Sequence, residues 1–200
     1  KRFKNGEVGK TYWAVVEGSP ATDEGVIDLP LGRLDVTRGW WMKHDPQGQP
    51  AVSKWKVMGR CSEPEGEVPG GSRNTSPPRR AAHVDPPPTG EGKGLTWLAL
   101  APQTGRTHQL RVHCAEMGWP ILGDTIYGKA PRHGGPVLHL HAREVVVPLY
   151  KNREPIKVTA PVPAHMREML TQCGWRGEDE TPSFRGPSEA REPGIHTHTR

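Results

Sequence analysis

The chain has 200 residues, long enough for one domain with a real core, and its 24 Gly and 22 Pro are more turn-forming residues than such a core needs. Its 27 Lys and Arg against 22 Asp and Glu leave a net charge of +5, which suits a polyanionic partner without demanding one, since a solvated basic surface explains the charge as well. No run of 18 apolar residues occurs, so no membrane-spanning helix is expected, and no signal peptide is visible; three widely spaced cysteines, read as reduced thiols, point to a cytoplasmic protein.

In chain order, TYWAVV at 11–16 combines aromatic and β-branched residues and predicts a strand. EGSPATDEG reads as a turn region, and VIDLPLGRL opens as a short strand that Pro30 interrupts. HDPQGQP is a further turn and AVSKWKVMG a further strand. Residues 61–93 hold seven Pro and five Gly but no Leu, Ile, Met, Phe, Trp or Tyr. Such a segment buries too little apolar area to offset its ordering entropy, so it reads as a flexible insertion. Without it, SKWKVMGR and GLTWLALAP would pair as a hairpin. TGRTHQLRVHCAEMG then predicts a helix with Leu110, Cys114 and Met117 on one face, Thr107 as N-cap and Gly118 as its stop. WPILGDTIYG is a loop, VLHLHAREVVVPL one or two strands, and PIKVTAPV another. PAHMREMLTQCGW closes as a short helix whose apolar face is Met166, Met169, Leu170 and Cys173, ended by Gly174. Residues 176–200 contain only Phe184 and Ile195 as large apolar residues and read as a disordered tail. The fold class is therefore α+β: a mostly antiparallel mixed sheet with few helices, forming one domain over 1–175. Cys61, Cys114 and Cys173 show no metal-like or disulfide-like spacing and are expected as reduced thiols.

The chemistry concentrates in TGRTHQLRVH at 104–113, which holds Arg106, His108, Gln109, Arg111 and His113. On a helix His108 and Arg111 are i, i+3 neighbours on one surface. An Arg fork can hold a carboxylate or phosphate, and a helix N-terminus adds N–H donors for anions. A polar helix face that merely solvates the domain is the competing explanation. A metal enzyme is a weaker one: His139 and His141 share a strand face with His133 nearby, but no Asp, Glu or Cys completes a set. A nucleophilic hydrolase is weaker still. Cys114 directly follows His113, and adjacent helical residues do not face each other. Neither a Gly-x-Ser-x-Gly elbow nor a phosphate-binding Gly-rich Lys loop is present.

TGRTHQLRVH, followed by GWPILGDTIYG and LHLHA, resembles the RluA-type pseudouridine synthases. KTYWAVVEG is similar to that family's Lys-x-Tyr-x-Ala strand, GVIDLPLGR and GQPAVSKWKVM to its next hairpin, and APVPAHM to its closing segment. The likeness runs from about Gly9 to Trp175, apart from 61–93. It implies an enzyme that converts uridine to pseudouridine in structured ribosomal or transfer RNA, as a monomer and without a metal or organic cofactor. It maps Tyr12 to the active-site tyrosine that packs on the target base, and Arg111 to the arginine that pairs with the catalytic Asp. Leu140 maps to a residue lining the pocket. Arg106, His108 and Gln109 map to motif positions that contact phosphate or support the helix. The nucleophilic Asp of the family lies in Arg-Leu-Asp-x-x-Thr-Ser-Gly, upstream of the Lys-x-Tyr-x-Ala strand. Arg33-Leu34-Asp35-Val36-Thr37-Arg38-Gly39 has one spacer where that motif has two, lacks the Ser, and follows Tyr12 instead of preceding it. The resemblance therefore implies that Asp35 is not the nucleophile and that the true one precedes Lys1, this chain being a piece of a longer protein. The alternative is a catalytically inactive RNA-binding fragment of the same fold.

Overall fold

The structure is a computed structural model in which residues 8–35, 39–61, 94–150 and 153–177 are described. The expected insertion at 61–93, save Cys61, and the expected tail at 176–200, save Arg176 and Gly177, lie outside the described residues. The elements run β1 (Gly9–Glu17), β2 (Glu24–Asp28), β3 (Leu31–Arg33), β4 (Met42–His44), β5 (Val52–Arg60), β6 (Leu95–Pro102), α1 (Gln109–Glu116), β7 (Leu140–Val147), β8 (Ile156–Thr159) and α2 (Ala164–Gln172). Six strands form one sheet in the order β2-β5-β6-β1-β7-β8, with every neighbouring pair antiparallel. The α+β expectation holds, without any parallel pair among the described strands. Pro30 separates β2 from β3, and β3 leaves the main sheet to pair with β4.

Both faces of the central strands are covered, which explains why TYWAVV and TWLALAP are nearly continuous apolar runs. Ala14 and Val16 of β1, with Leu98 and Leu100 of β6, pack against Leu110 and Cys114 of α1. Trp13 and Val15, with Trp97 and Ala99, point the other way and pack against Met166 and Leu170 of α2. Tyr12 shares the α1 face and is half-buried against that cluster. The β1–β7 register shifts between Thr11 and Tyr12, Thr11 facing Glu144 and Tyr12 facing Ala142, so Arg143 is the extra residue of a bulge. Bulges re-aim neighbouring side chains, and this one sits at the strand position of Tyr12.

Two local expectations are corrected. α1 begins with His108, not Thr107, as its N-cap; His108 adopts the left-handed conformation (φ 52°) and makes no side-chain cap. Gln109 instead ties the preceding turn to the helix start: its Oε1 accepts from the Arg106 N–H at 3.0 Å. Cys61 and Cys173 are not free thiols but form a disulfide across 112 residues of sequence. Sequence spacing conceals that β5 and α2 end beside each other. Gly59 permits the approach, since a Cβ there would overlap the Cys173 carbonyl oxygen. Cys114 is free and buried, and burial pushes its thiol far up, which leaves it unreactive. Among the described residues no helix is long and apolar enough to cross a membrane.

Candidate functional site

An open cleft of about 220 Å³ lies where the end of β6, the following turn and the start of α1 meet β1 and β7. Its lining brings together Tyr12 from β1, Leu140 from β7, and Arg106, His108, Gln109 and Arg111 from the turn and helix. These are the six residues singled out in the sequence; Lys10, which was not, joins them. The cleft wall thus carries the cations Lys10, Arg106 and Arg111 beside the Tyr12 and His108 rings and the apolar side chains of Pro102, Leu110 and Leu140. That composition suits an anionic, planar ligand whose ring can stack and whose phosphates can be held.

Arg111 is held by a two-bond fork. Its Nε donates to Asp124 Oδ2 and its Nη2 to Asp124 Oδ1, both at 2.8 Å. The side chains are 15% and 0% exposed, so the fork is shielded from solvent. Oδ1 also accepts from the N–H groups of Ile126 and Tyr127, at 2.9 Å each. Burial alone would raise the Asp124 carboxyl, but the Arg111 bond and the two backbone donors outweigh it and hold the group below its ordinary value. Gly123 (φ 80°) makes this loop possible, since a side chain there would run into the Val137 backbone.

His108 stands between Arg111 and Tyr127. Its Nε2 is 3.4 Å from Arg111 Nη1 and its Nδ1 is 2.9 Å from Tyr127 Oη. A guanidinium only donates, so Nε2 accepts and Nδ1 carries the proton toward Tyr127. Burial, and then the Arg111 charge, keep the His108 pKa below the ordinary value, consistent with that neutral tautomer. Tyr127 Oη also accepts from the Met42 N–H at 3.0 Å, and the exposed Trp40 meets the His108 ring edge-on at 5.0 Å. The left-handed backbone of His108 costs on the order of 1 kcal/mol, and these ring contacts hold it there.

The other motif residues turn inward or outward. Gln109 is buried: its Oε1 also accepts from Thr104 Oγ1, and its Nε2 donates to the Val52 carbonyl and Ser53 Oγ. It ties the helix start to β5. His113 is likewise buried, with Nε2 on the Leu29 carbonyl at 3.1 Å and Nδ1 on Ser53 Oγ at 3.0 Å. Arg106 is exposed and its Nε donates to the Pro50 carbonyl at 3.1 Å. Asp35 is exposed beyond the end of β3 and does not line the cleft; Val36, Thr37 and Arg38 of the same stretch lie outside the described residues. His139 is buried with its Nδ1 on the Val137 carbonyl, and its ring faces His165 at 5.5 Å, not His133 or His141. Asp124 and Tyr127 were missed as site residues, although both stand in the quoted GDTIYG. Nothing in that hexapeptide says that its carboxylate turns back onto Arg111.

A family model described as RNA pseudouridylate synthase matches residues 1–116. An uncharacterized RNA pseudouridine synthase of Zymomonas mobilis is 34% identical over 165 residues, covering 80% of this chain and 60% of that protein. A tRNA pseudouridine synthase C of Pectobacterium carotovorum is 29% identical over 207 residues, covering 98% of this chain and 49% of that protein. The solved structure of human RNA pseudouridylate synthase domain containing 1 superposes with a TM-score of 0.57 at 26% identity, over 81% of this chain and 58% of that one. The chain spans about half the length of the curated relatives it matches.

Proposed function

We propose a function from one premise: this chain belongs to the RNA pseudouridylate synthase family. It forms the C-terminal part, over 1–175, of a catalytic domain that isomerises uridine to pseudouridine in structured ribosomal or transfer RNA. In that reaction the N1–C1′ bond of the nucleotide breaks and a C5–C1′ bond forms. The C5 proton leaves and N1 gains one, so atoms and electrons balance without a cofactor. The nucleophilic carboxylate comes from a segment preceding Lys1, and Asp35 plays no part in it. Arg111 receives that carboxylate and keeps it ionised. Tyr12 packs on the target base, Leu140 closes the apolar side, and His108 sets the Arg111 edge. Arg106 meets a phosphate, while Gln109 supports the helix. The target uridine leaves its stack to enter the cleft, most readily from a loop. The protein acts as a monomer.

The observation that carries this reading is the convergence of Tyr12, Leu140, Arg106, His108 and Arg111, from separate elements, on one cationic cleft. The test is tritium release from RNA carrying 5-tritiated uridine, using the whole protein of which this chain is part. Release is expected, with Arg111→Ala and Tyr12→Phe each slowing it by on the order of 10² or more. Near-normal rates in both variants would sink the site assignment. RNA binding without any release would instead favour a non-catalytic RNA-binding role.

A further inference from the structure

The chain has seven tryptophans, and their placements differ. Trp13, Trp55, Trp97, Trp119 and Trp175 are buried and Trp41 is half-buried, whereas Trp40 is 56% exposed. A single exposed apolar residue needs no explanation by itself. What singles out Trp40 is where it stands. It lies between β3 and β4, beside His108: the ring centroids are 5.0 Å apart and the planes nearly perpendicular, at 84°. His108 lines the cleft and Trp40 does not, so the indole occupies the rim, one ring beyond the wall. The backbone that carries it is fixed just beyond. The Trp41 carbonyl accepts from the Leu34 N–H at 2.8 Å, and the Met42 N–H donates to Tyr127 Oη at 3.0 Å. Trp41 meets Trp40 edge-on at 6.3 Å. The ring is therefore held in place while more than half of its surface stays open. Among the described residues of this hairpin the exposed charges are Arg33 and Lys43 against Asp35. That positive balance adds to the cations Lys10, Arg106 and Arg111 of the cleft.

We propose that Trp40 is a stacking platform for a nucleobase adjacent to the target uridine. The assignment rests on the function proposed above. When the target base leaves its stack to enter the cleft, its neighbour loses the ring that covered one face. An indole on the rim can replace that ring: aromatic side chains stack on unpaired bases while cations around them track the phosphates. A protein partner would want apolar residues around Trp40, and the hairpin offers it exposed charges and only Leu34. Because the indole is already ordered, stacking on it costs little further rotamer freedom. A two-ring purine overlaps more of an indole than a pyrimidine does, so the platform also biases which uridines are taken.

The test uses the whole protein, its Trp40→Ala and Trp40→Phe variants, each shown to be folded, and unmodified ribosomal and transfer RNA transcribed with 5-tritiated uridine. It reads kcat and KM for tritium release, RNA affinity at low and high salt, and Trp40 fluorescence as the difference between the wild type and Trp40→Phe. Trp40→Ala is expected to weaken RNA affinity and raise KM roughly 10- to 100-fold, with kcat within about twofold of the wild type, since stacking on a flanking base serves ground state and transition state alike. Trp40→Phe should recover most of that loss. The loss should be equal at low and high salt, because stacking releases no counterions. RNA should quench the Trp40 fluorescence. Wild-type affinity in Trp40→Ala would overturn the proposal. So would a fall in kcat with KM unchanged, because Trp40 would then act only by holding His108. Trp40 fluorescence already shielded from acrylamide before RNA is added would overturn it too, assigning the ring to a covering protein segment. No tritium release, with RNA binding that still depends on Trp40, would overturn the isomerisation and leave the stacking role standing. Release that depends on Arg111 and not on Trp40 would do the reverse.

Discussion

Gln109 and Arg111 are two residues apart in one motif, both line the cleft, and their side chains are engaged differently. The Gln109 amide is fully engaged by Thr104, Arg106, Val52 and Ser53, whereas Arg111 forks onto Asp124. The sequence concentrates polar residues at 104–113 but does not reveal which face of an eight-residue helix the sheet will take. That is why Arg106, His108 and Arg111 were legible as site candidates and helix support was one of two roles open to Gln109, while the internal duty of His113 was not legible. The Arg111–Asp124 pair was invisible for a different reason: a loop carboxylate folds back onto the helix, and no periodicity encodes that. Buried histidines give the residue scale a pH signature. Burial lowers the pKa of His113, and likewise of His108 and His139, below the ordinary 6.5. The unfolded chain then binds more protons than the folded one as pH drops below that value. Stability is therefore complete above about 6.5 and is lost as pH falls toward the lower folded values. Urea unfolding at about pH 7.5 and about pH 5.5 should show that loss, and His113→Gln should reduce it, since Gln can still bond Leu29 and Ser53. A stability that does not change between the two would contradict the neutral buried assignment.

Element by element, the strong strands and both helices were readable because each buries a patterned face. Met166, Leu170 and Cys173 do line α2 against Trp13 and Trp97. The hairpin of β5 and β6 forms as expected around the 61–93 segment, pairing Arg60 with Thr96. β4 escaped notice because Met-Lys-His is too short to show alternation; it pairs with β3 across the segment between them, where the Leu34 N–H donates to the Trp41 carbonyl. The disulfide escaped notice because its partners lie 112 residues apart. At this scale the α2 face is the element to probe. Met166 is fully buried, and Met166→Ala should cost about 2–5 kcal/mol of unfolding free energy by emptying the centre of that cluster. Denaturant melts followed by tryptophan fluorescence would measure it. A cost well below about 1 kcal/mol would mean that α2 does not pack on the sheet as described.

As a whole, the molecule is an antiparallel sheet with one face given to α2 and the other to α1 and the cleft. The fold class was legible because it follows from apolar patterning summed over the chain. Whole-molecule function was legible only where TGRTHQLRVH and GDTIYG carried a family's spacing; the charge of +5 by itself was not diagnostic. The reaction proposed for the whole protein requires Arg111 and does not require Asp35, and these demands can be met or refused in one assay. Single-turnover tritium release from 5-tritiated uridine RNA should be measured for the whole protein beside its Arg111→Ala and Asp35→Ala variants, each shown to be folded. Release that survives Asp35→Ala and collapses with Arg111→Ala is the predicted result. Release that collapses with Asp35→Ala and survives Arg111→Ala would contradict it, placing the nucleophile at the end of β3 and moving the chemistry out of this cleft.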